Sequence, residues 1–164
     1  MSDVSELVFA PLGGVGEIGM NLGLYGFGPR RNRQWLMVDL GMSFAGEEAP
    51  GVDLVLPDIR FLEAEKKNIV GLILTHGHED HVGAVLDLWP KLKVPVYTTR
   101  FTAGLLEAKS WNEPGAPKVP VTIVRAGEPL QLGPFEVEFI RVAHSIPDSH
   151  AIAIRTEAGL VLHT

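Results

Sequence analysis

The chain has 164 residues, a length typical of one domain or of a large piece of a bigger protein. Apolar residues make up 46% of it and charged residues 21%, a composition that supports a packed core and excludes a disordered chain. The formal net charge of −6 argues against a domain that holds nucleic acid through its overall field. The absence of cysteine excludes disulfide scaffolds, zinc fingers, iron–sulfur clusters and thiol nucleophiles.

The N-terminal third predicts three strands and a short helix. Residues 7–11 form a compact apolar run, and residues 21–27 and 34–39 flank a polar turn, which is typical of a hairpin. Residues 41–57 are rich in glycine, proline and acids and are expected to be a loop, and 59–67 have the spacing of a short helix. The first six residues lack the features of a signal peptide, so a cytoplasmic location without membrane contact is expected.

The remaining chain predicts alternating strands and helices, and then strands alone. Helices are expected at 82–89 and at 100–109, where Phe101, Leu105 and Ala108 are the apolar positions, and 111–120 is expected to be a loop. Strands are expected at 69–74, 94–98, 121–125, 135–142, 151–156 and 160–163. No linker divides residues 1–164, and the pattern favours one α/β or α+β domain with extensive sheet.

Residues 14–19 (GVGEIG) match the dinucleotide-binding pattern GxGxxG, and Asp39 follows at a suitable distance. That mechanism requires a helix whose N-terminus faces a pyrophosphate. Four glycine or proline residues within positions 21–29 oppose such a helix. We therefore expect residues 13–19 to form a turn that passes beside the functional site, with no helix beginning at Gly19.

Residues 76–81 (HGHEDH) concentrate three of the six histidines directly after the buried strand 69–74. His76 and His78 project to the same side of an extended backbone, so both imidazoles can reach one cation. Asp80 and His81 follow as the chain turns into the next helix and can reach a second cation. Nitrogen and oxygen ligands without thiolate suit Zn²⁺ or Mn²⁺, and an open coordination position would lower the pKa of a water molecule toward neutrality.

The other three histidines carry weaker indications. His144 lies where a strand meets a loop and is a possible distant ligand, with a structural role equally open from the pattern alone. His150 begins a strand and is interpreted as structural. His163 is interpreted as a hydrogen-bonded or half-exposed strand residue. The arginines at positions 30, 31 and 33 are interpreted as a solvated turn, although they could contact a nucleic-acid backbone.

The chain resembles the metallo-β-lactamase superfamily, whose hallmark is HxHxDH at a strand–helix junction. Within it, the chain is similar to the ribonuclease J family of the β-CASP group of RNA-processing nucleases. The segments that carry this resemblance are 11–21 (PLGGVGEIGMN), 38–41 (VDLG), 50–53 (PGVD), 56–58 (LPD), 74–83 (LTHGHEDHVG) and 144–148 (HSIPD). The implied fold is an αββα sandwich, of which residues 1–164 would be the N-terminal portion only.

The resemblance implies that His76, His78 and His144 bind one metal ion. It implies that Asp80 and His81 bind a second ion and are catalytic, with Asp80 also orienting or deprotonating water. Asp39 would support the metal loop, residues 75–81, without being a ligand. A bridging aspartate and a further histidine of the family would lie beyond Thr164, as would the β-CASP domain. A chain without them is expected to show little activity alone and to associate or aggregate.

The implied function is a metal-dependent ribonuclease that uses two divalent ions, Zn²⁺ or Mn²⁺, to hydrolyse RNA phosphodiester bonds. It would act as a 5′-to-3′ exonuclease, an endonuclease or both, in rRNA processing and mRNA decay. RNA is the expected partner, and the full-length protein is expected to be a homo-oligomer. Two alternatives stay open from the sequence: another hydrolase of this fold acting on small thioesters or amides, and a non-catalytic fragment or assembly module.

Overall fold

The computed structural model describes residues 4–47 and 49–164, so the first half of the N-terminal segment 1–6 and one residue of the expected loop 41–57 lie outside the described residues. The elements are β1 (Glu6–Gly13), β2 (Leu22–Gly28), β3 (Gln34–Val38), β4 (Ser43–Phe44), β5 (Leu54–Val55), α1 (Arg60–Glu65), β6 (Ile69–Ile73), α2 (Glu79–Val82), α3 (Val85–Leu92), β7 (Val96–Thr98), α4 (Arg100–Asn112), β8 (Val121–Ile123), β9 (Leu130–Leu132), β10 (Phe135–Arg141), β11 (His150–Thr156) and β12 (Gly159–His163).

Two larger sheets organise the fold. The first has the strand order β1-β2-β3-β6-β7-β8, in which β1, β2 and β3 pair antiparallel and the strands from β3 onward pair parallel. The second has the order β12-β11-β10-β9 and is antiparallel throughout. The predicted hairpin of β2 and β3 is confirmed, and the parallel strands bring several strand ends to one edge of the first sheet.

The first sheet is apolar on both faces. On β2, Leu22 and Leu24 belong to a core shared with the helices α1, α3 and α4, whereas Tyr25 and Phe27 belong to a core shared with the second sheet. This division follows from the alternation of side chains along a strand. Phe135 of β10 fills the core between the sheets and is fully buried. The described residues therefore form three layers, helices against a sheet against a second sheet.

Several elements differ from the sequence predictions. The expected loop 41–57 contains the small β4–β5 ladder. The expected helix 82–89 is divided between α2, which ends at Val82, and α3, which begins at Val85. The helical hydrogen bonding breaks at Ala84, whose N–H donates to Leu40 O at 3.1 Å, while the carbonyl oxygen of Asp80 accepts from Asn21 N at 2.9 Å. Strand β9 was not predicted, since three residues carry too little periodicity.

Helix α4 is longer than predicted, and its most apolar positions are not its buried ones. It continues to Asn112, so Trp111 lies on a helix and not in the expected loop. Thr102 and Leu106 are its buried residues, whereas Phe101 and Leu105 are each 37% exposed. Leu105 packs beside Gly77 at the functional edge of the sheet, which explains why an apolar side chain lies away from the main core. None of the helices formed by the described residues is long and apolar enough to cross a membrane.

Candidate metal centre

Three imidazoles from two distant parts of the chain meet at one edge of the first sheet. His78 Nδ1 lies 3.2 Å from His76 Nε2 and 3.1 Å from His144 Nε2. One ligand atom from each ring lies within 4.8 Å of the others. The expected convergence of these three side chains is therefore confirmed, and His144, left open by the sequence pattern, joins the cluster from the loop that follows β10 in the second sheet.

The local backbone explains why His76 and His78 point the same way. The segment follows β6 in an extended conformation, and His78, at φ −71° and ψ 148°, is the last extended residue before α2. Its carbonyl oxygen accepts hydrogen bonds from the N–H groups of His81 at 3.0 Å and Val82 at 2.9 Å. Side chains two residues apart on extended backbone share a side, whereas His81 is placed by the helical turn.

A chain of hydrogen bonds from Asp39 determines which nitrogen of His76 faces the cluster. Thr75 Oγ1 lies 2.9 Å from Asp39 Oδ2 and 2.9 Å from His76 Nδ1. A carboxylate can only accept, so the single hydroxyl proton of Thr75 goes to Asp39. His76 Nδ1–H must then donate to the Thr75 oxygen, and the lone pair of His76 Nε2 points at His78. This is the tautomer that a metal ligand needs.

Burial lowers the pKa of His76 from 6.5 to about 4, and the neighbouring His81, His144 and His78 add to the decrease against the opposing charge of Asp39. Desolvation and nearby positive charge both disfavour an imidazolium ion. His76 is therefore neutral at physiological pH, with its lone pair available. A neutral imidazole among others is a setting that favours a shared cation.

Asp39 also anchors His81. Its Oδ2 atom accepts a hydrogen bond from His81 Nδ1–H at 2.7 Å, and its Oδ1 atom accepts one from Thr75 N at 2.8 Å. Burial lowers the pKa of His81, but the hydrogen bond to Asp39 and the charges of Asp39 and Asp80 outweigh it, so that the pKa lies above its usual 6.5. Asp39 is only 1% exposed, and its contacts confirm the prediction that it supports the loop.

Asp80 and His81 occupy the position next to the three-histidine cluster. The rings of His76 and His81 have centroids 4.0 Å apart, and His81 Nε2 lies 3.5 Å from Asp80 Oδ2. The Asp80 side chain is 40% exposed, so its carboxylate reaches the adjoining cavity. These two residues thus offer one nitrogen and one carboxylate on the same side of the cavity as His76.

Asn21 is a site residue whose role the sequence reasoning missed. Its Nδ2 group donates to the carbonyl oxygen of Asp80 at 3.0 Å and lies 3.2 Å from both Asp80 Oδ2 and His81 Nε2. Its backbone N–H also donates to Asp80 O at 2.9 Å. The available indication was its place two residues after the glycine segment, residues 13–19. No pattern within one sequence shows that two segments 59 residues apart will meet.

The glycine segment passes beside the metal loop, as predicted. Residues 14–19 are bends and residues 22–28 are strand β2, so no helix follows Gly19 and the dinucleotide-binding interpretation is excluded by the structure. Gly41, on the loop after β3, shows how closely these segments pack. Its N–H donates to Asn21 O at 2.9 Å, and a Cβ there would overlap the carbonyl oxygen of Asp80.

A cavity of about 500 Å³ opens above this cluster, bordered by the glycine segment on one side and by the loop after β10 on the other. His163 borders it and is hydrogen-bonded to Tyr25 Oη at 3.0 Å, which agrees with the sequence interpretation. His150 also borders the cavity and is buried against Phe139, with ring centroids 5.7 Å apart, and neither of its ring nitrogens has a hydrogen-bond partner among the described residues. Its interpretation as a structural residue stays a prediction. Neither ring is part of the three-histidine cluster.

Changing Asn21 to alanine should weaken metal binding about tenfold, because residues that orient metal ligands typically contribute 10–100-fold and Asn21 holds both the backbone and the carboxylate of Asp80. The measurement is the affinity of the protein for Zn²⁺ and Mn²⁺, by competition with a chromophoric chelator. Asn112→Ala is the matched control, since the Asn112 side chain bonds the carbonyl of Ala108 on an exposed helix end. Equal affinity of both variants would show that Asp80 needs no help from Asn21.

A profile of the metallo-β-lactamase superfamily matches residues 28–164. The chain belongs to this superfamily. The fold agrees with solved structures: a protein of unknown function from Enterococcus faecalis V583 superposes with a TM-score of 0.74 over 98% of this chain and 43% of its own, at 16% identity. The metallo-β-lactamase fold protein YhfI from Bacillus subtilis superposes with a TM-score of 0.62 over 94% of this chain and 59% of its own, at 18% identity.

Curated relatives are more similar in sequence. Ribonuclease J of Sinorhizobium meliloti is 57% identical over 164 residues, which are 100% of this chain and 29% of that protein. Ribonuclease J of Mycobacterium tuberculosis is 44% identical over 156 residues, which are 93% of this chain and 26% of that protein. The resemblance found in the motifs is thus confirmed, and the chain spans less than a third of the length of these relatives.

Proposed function

We propose that this chain is the N-terminal portion, residues 1–164, of the catalytic domain of a metal-dependent ribonuclease that hydrolyses RNA phosphodiester bonds. The observation that carries the proposal is the cluster of His76, His78 and His144, with Asp80 and His81 beside it, in a chain 57% identical to a ribonuclease J. The remaining parts of such an enzyme, including a β-CASP domain, would lie outside this sequence.

The residues present fit a divalent cation. His78 Nδ1 faces two other ring nitrogens at hydrogen-bond distance, yet one proton on it can serve only one of them. A cation at the centre would instead accept a lone pair from each of the three rings. We propose His76, His78 and His144 as ligands of one ion, and Asp80 and His81 as ligands of a second. The donor set of nitrogen and oxygen suits Zn²⁺ or Mn²⁺.

Divalent cations held there would neutralise charge on a phosphodiester and lower the pKa of a water molecule toward neutrality. Residues of the chain orient the proposed ligands and the water molecule. Asp39 holds His81 through Nδ1, so that Nε2 faces the site, and Thr75 does the same for His76. Asp80, whose carboxylate reaches the cavity, is placed to orient the attacking water and to accept its proton.

Further features of the proposal come from the similarity to ribonuclease J. We propose single-stranded RNA as the substrate, a role in rRNA processing and mRNA decay by exonucleolytic or endonucleolytic cleavage, a homo-oligomeric full-length protein and a cytoplasmic location. The net charge of −6 is compatible with an RNA substrate, because the cations would act at the reacting phosphate itself.

The test is the substrate preference of the natural full-length protein. Purified protein loaded with Mn²⁺ or Zn²⁺ should cleave a single-stranded RNA oligonucleotide and lose this activity on chelation, with recovery when either metal is returned. A small thioester and a β-lactam serve as the competing substrates of this fold. Hydrolysis of one of these with no cleavage of RNA would overturn the proposal in favour of a small-molecule hydrolase.

A further inference from the structure

A second, smaller cavity lies on the same edge of the fold as the metal centre and is bordered by three arginines. Arg100 begins α4, Arg125 follows β8 and Arg141 ends β10, and together they border a space of about 350 Å³. We name it the arginine pocket. Among the described residues that border the pocket, three are arginines and one, Asp148, is acidic. The charged side chains around the pocket therefore carry a net positive charge.

The N-terminus of α4 adds backbone donors to this pocket. The first N–H groups of a helix have no partners within the helix, and the partial positive charge of the helix end attracts anions. Helix α4 has 13 residues, and its N-cap residue, Thr99, makes no capping hydrogen bond. A phosphate at this position would receive hydrogen bonds that the protein itself does not use.

Thr99 provides an independent indication that the pocket has a ligand. The residue is 4% exposed and borders the cavity, and its hydroxyl has no hydrogen-bond partner among residues 4–47 and 49–164. A buried polar group without a partner costs free energy, so it is normally satisfied by something. Because the residue lines the pocket, a rotation of its side chain would bring this hydroxyl to an anion or to a water molecule bound there.

Two of the three arginines are available for an anion. Arg125 forms an exposed ion pair with Glu128 at 3.6 Å, a type of contact that contributes little energy and exchanges readily. Arg100 and Arg141 form no ion pair with any described residue. Asp148 lies 3.7 Å from His150 Nε2 and pairs with neither of them. Guanidinium groups bind phosphate oxygens in bidentate geometry, which makes this anion the natural ligand.

The pocket is connected to the metal centre through packed residues. Asp148 belongs to the same loop as His144, which joins β10 and β11. Leu105 of α4 packs against Gly77, the residue between His76 and His78, and Ile146 lies against the same glycine. The loop between β10 and β11 thus borders both the metal centre, through His144, and the arginine pocket, through Asp148.

We propose that the arginine pocket binds a backbone phosphate of the RNA substrate, away from the phosphate that is cleaved. This subsite rests on the proposed ribonuclease function and adds to it a local positive contact in a chain whose net charge is −6. Phosphate contacts fix the register of a nucleic acid without reading its sequence, so the pocket would position RNA of any sequence.

The experiment compares two substrates in the natural full-length protein. The double variant Arg100→Gln/Arg141→Gln removes the unpaired guanidinium groups, and Thr99→Val removes the buried hydroxyl with little change of shape. Arg60→Gln is the matched control, because Arg60 is exposed on α1 and pairs with Asp58. One substrate is a fluorescent single-stranded RNA; the other is bis(p-nitrophenyl) phosphate, which is too small to reach both sites. KM, kcat and the salt dependence of RNA binding are measured for each variant.

The double variant should raise KM for RNA by roughly tenfold or more, because it removes hydrogen bonds to a charged group. The slope of log affinity against log salt should become shallower by about 0.7 for each RNA phosphate that the protein no longer neutralises. Hydrolysis of the small diester should stay as in the wild type, and Thr99→Val should raise KM for RNA in the same direction.

Three results would overturn the subsite. An RNA KM and salt slope equal to those of the wild type and of Arg60→Gln would show that no phosphate binds there. Equal losses on RNA and on the small diester would show that the arginines act on the metal centre or the fold. A wild-type protein that neither binds nor cleaves RNA would refute both the subsite and the proposed function, whereas the first two results leave that function standing.

Discussion

Replacing His76 with alanine should reduce RNA cleavage by the full-length protein more than about 100-fold, beyond the 10–100-fold typical of residues that only support a ligand. His76 is the most central of the three clustered imidazoles, since its ring also lies 4.0 Å from that of His81. Its loss would remove one proposed ligand of the first ion. It would also remove the ring that packs against His81, a proposed ligand of the second ion. The measurements are kcat/KM on RNA and metal content by mass spectrometry.

Glu79→Gln is the matched control for this change. Glu79 follows His78 directly as the first residue of α2, but its side chain is 51% exposed and pairs with Lys109 outside the cluster. Its loss should alter cleavage by no more than a few-fold, since exposed ion pairs contribute little. Circular dichroism should show both variants folded, because the core strand β6 is untouched. Full activity of His76→Ala with normal metal content would refute the ligand assignment.

Asp39→Asn should reduce both metal affinity and RNA cleavage about 10–100-fold, the range found when a residue that orients metal ligands is replaced. The substitution keeps the backbone, because Asp39 has a φ of 63° and asparagine tolerates this left-handed conformation. It places an amide where the carboxylate accepts hydrogen bonds from Thr75 and His81. One oxygen cannot serve all of these donors, so the orientation of His81 is no longer held.

Asp58→Asn is the control for that experiment, because Asp58 is an exposed carboxylate that pairs with Arg60 away from the cluster. Metal affinity is measured by competition with a chromophoric chelator, and cleavage is measured on RNA at saturating metal. If excess metal restores full activity, Asp39 acts on affinity alone. Unchanged affinity and activity would show that the hydrogen-bond chain from Asp39 through Thr75 does not control the histidine tautomers.

The metal loop was predictable because all of its relations are local. His76 and His78 are two residues apart on extended backbone, and the strand before them was recognisable from its apolar composition. The contact of His144 with these two histidines is not local in sequence. The pattern alone left it open, and only the similarity to a known family placed it with the other two, since a contact between residues 66 positions apart depends on how two sheets pack.

The residues that hold the proposed ligands in place were harder to predict from the sequence than the ligands themselves. Asn21 holds Asp80 through contacts that exist only when β2 and β3 are paired and the loop after β3 lies against α2. The apolar positions Phe101 and Leu105 do not mark the buried face of α4: both are 37% exposed, and Leu105 packs on the metal loop and not in the main core. Strand β9 has its partner in β10, which a three-residue segment cannot reveal.

The histidine cluster also bears on how the protein holds together. His76 and His78 follow strand β6 of the first sheet and His144 follows strand β10 of the second, so a cation bound by all three would join the two sheets at their shared edge, in a chain that has no cysteine to do so covalently. Such an ion binds the packed state and not the separated sheets, and its binding free energy is therefore added to the stability of the interface between them. Metal supply would then govern the lifetime of the folded protein as well as its catalysis.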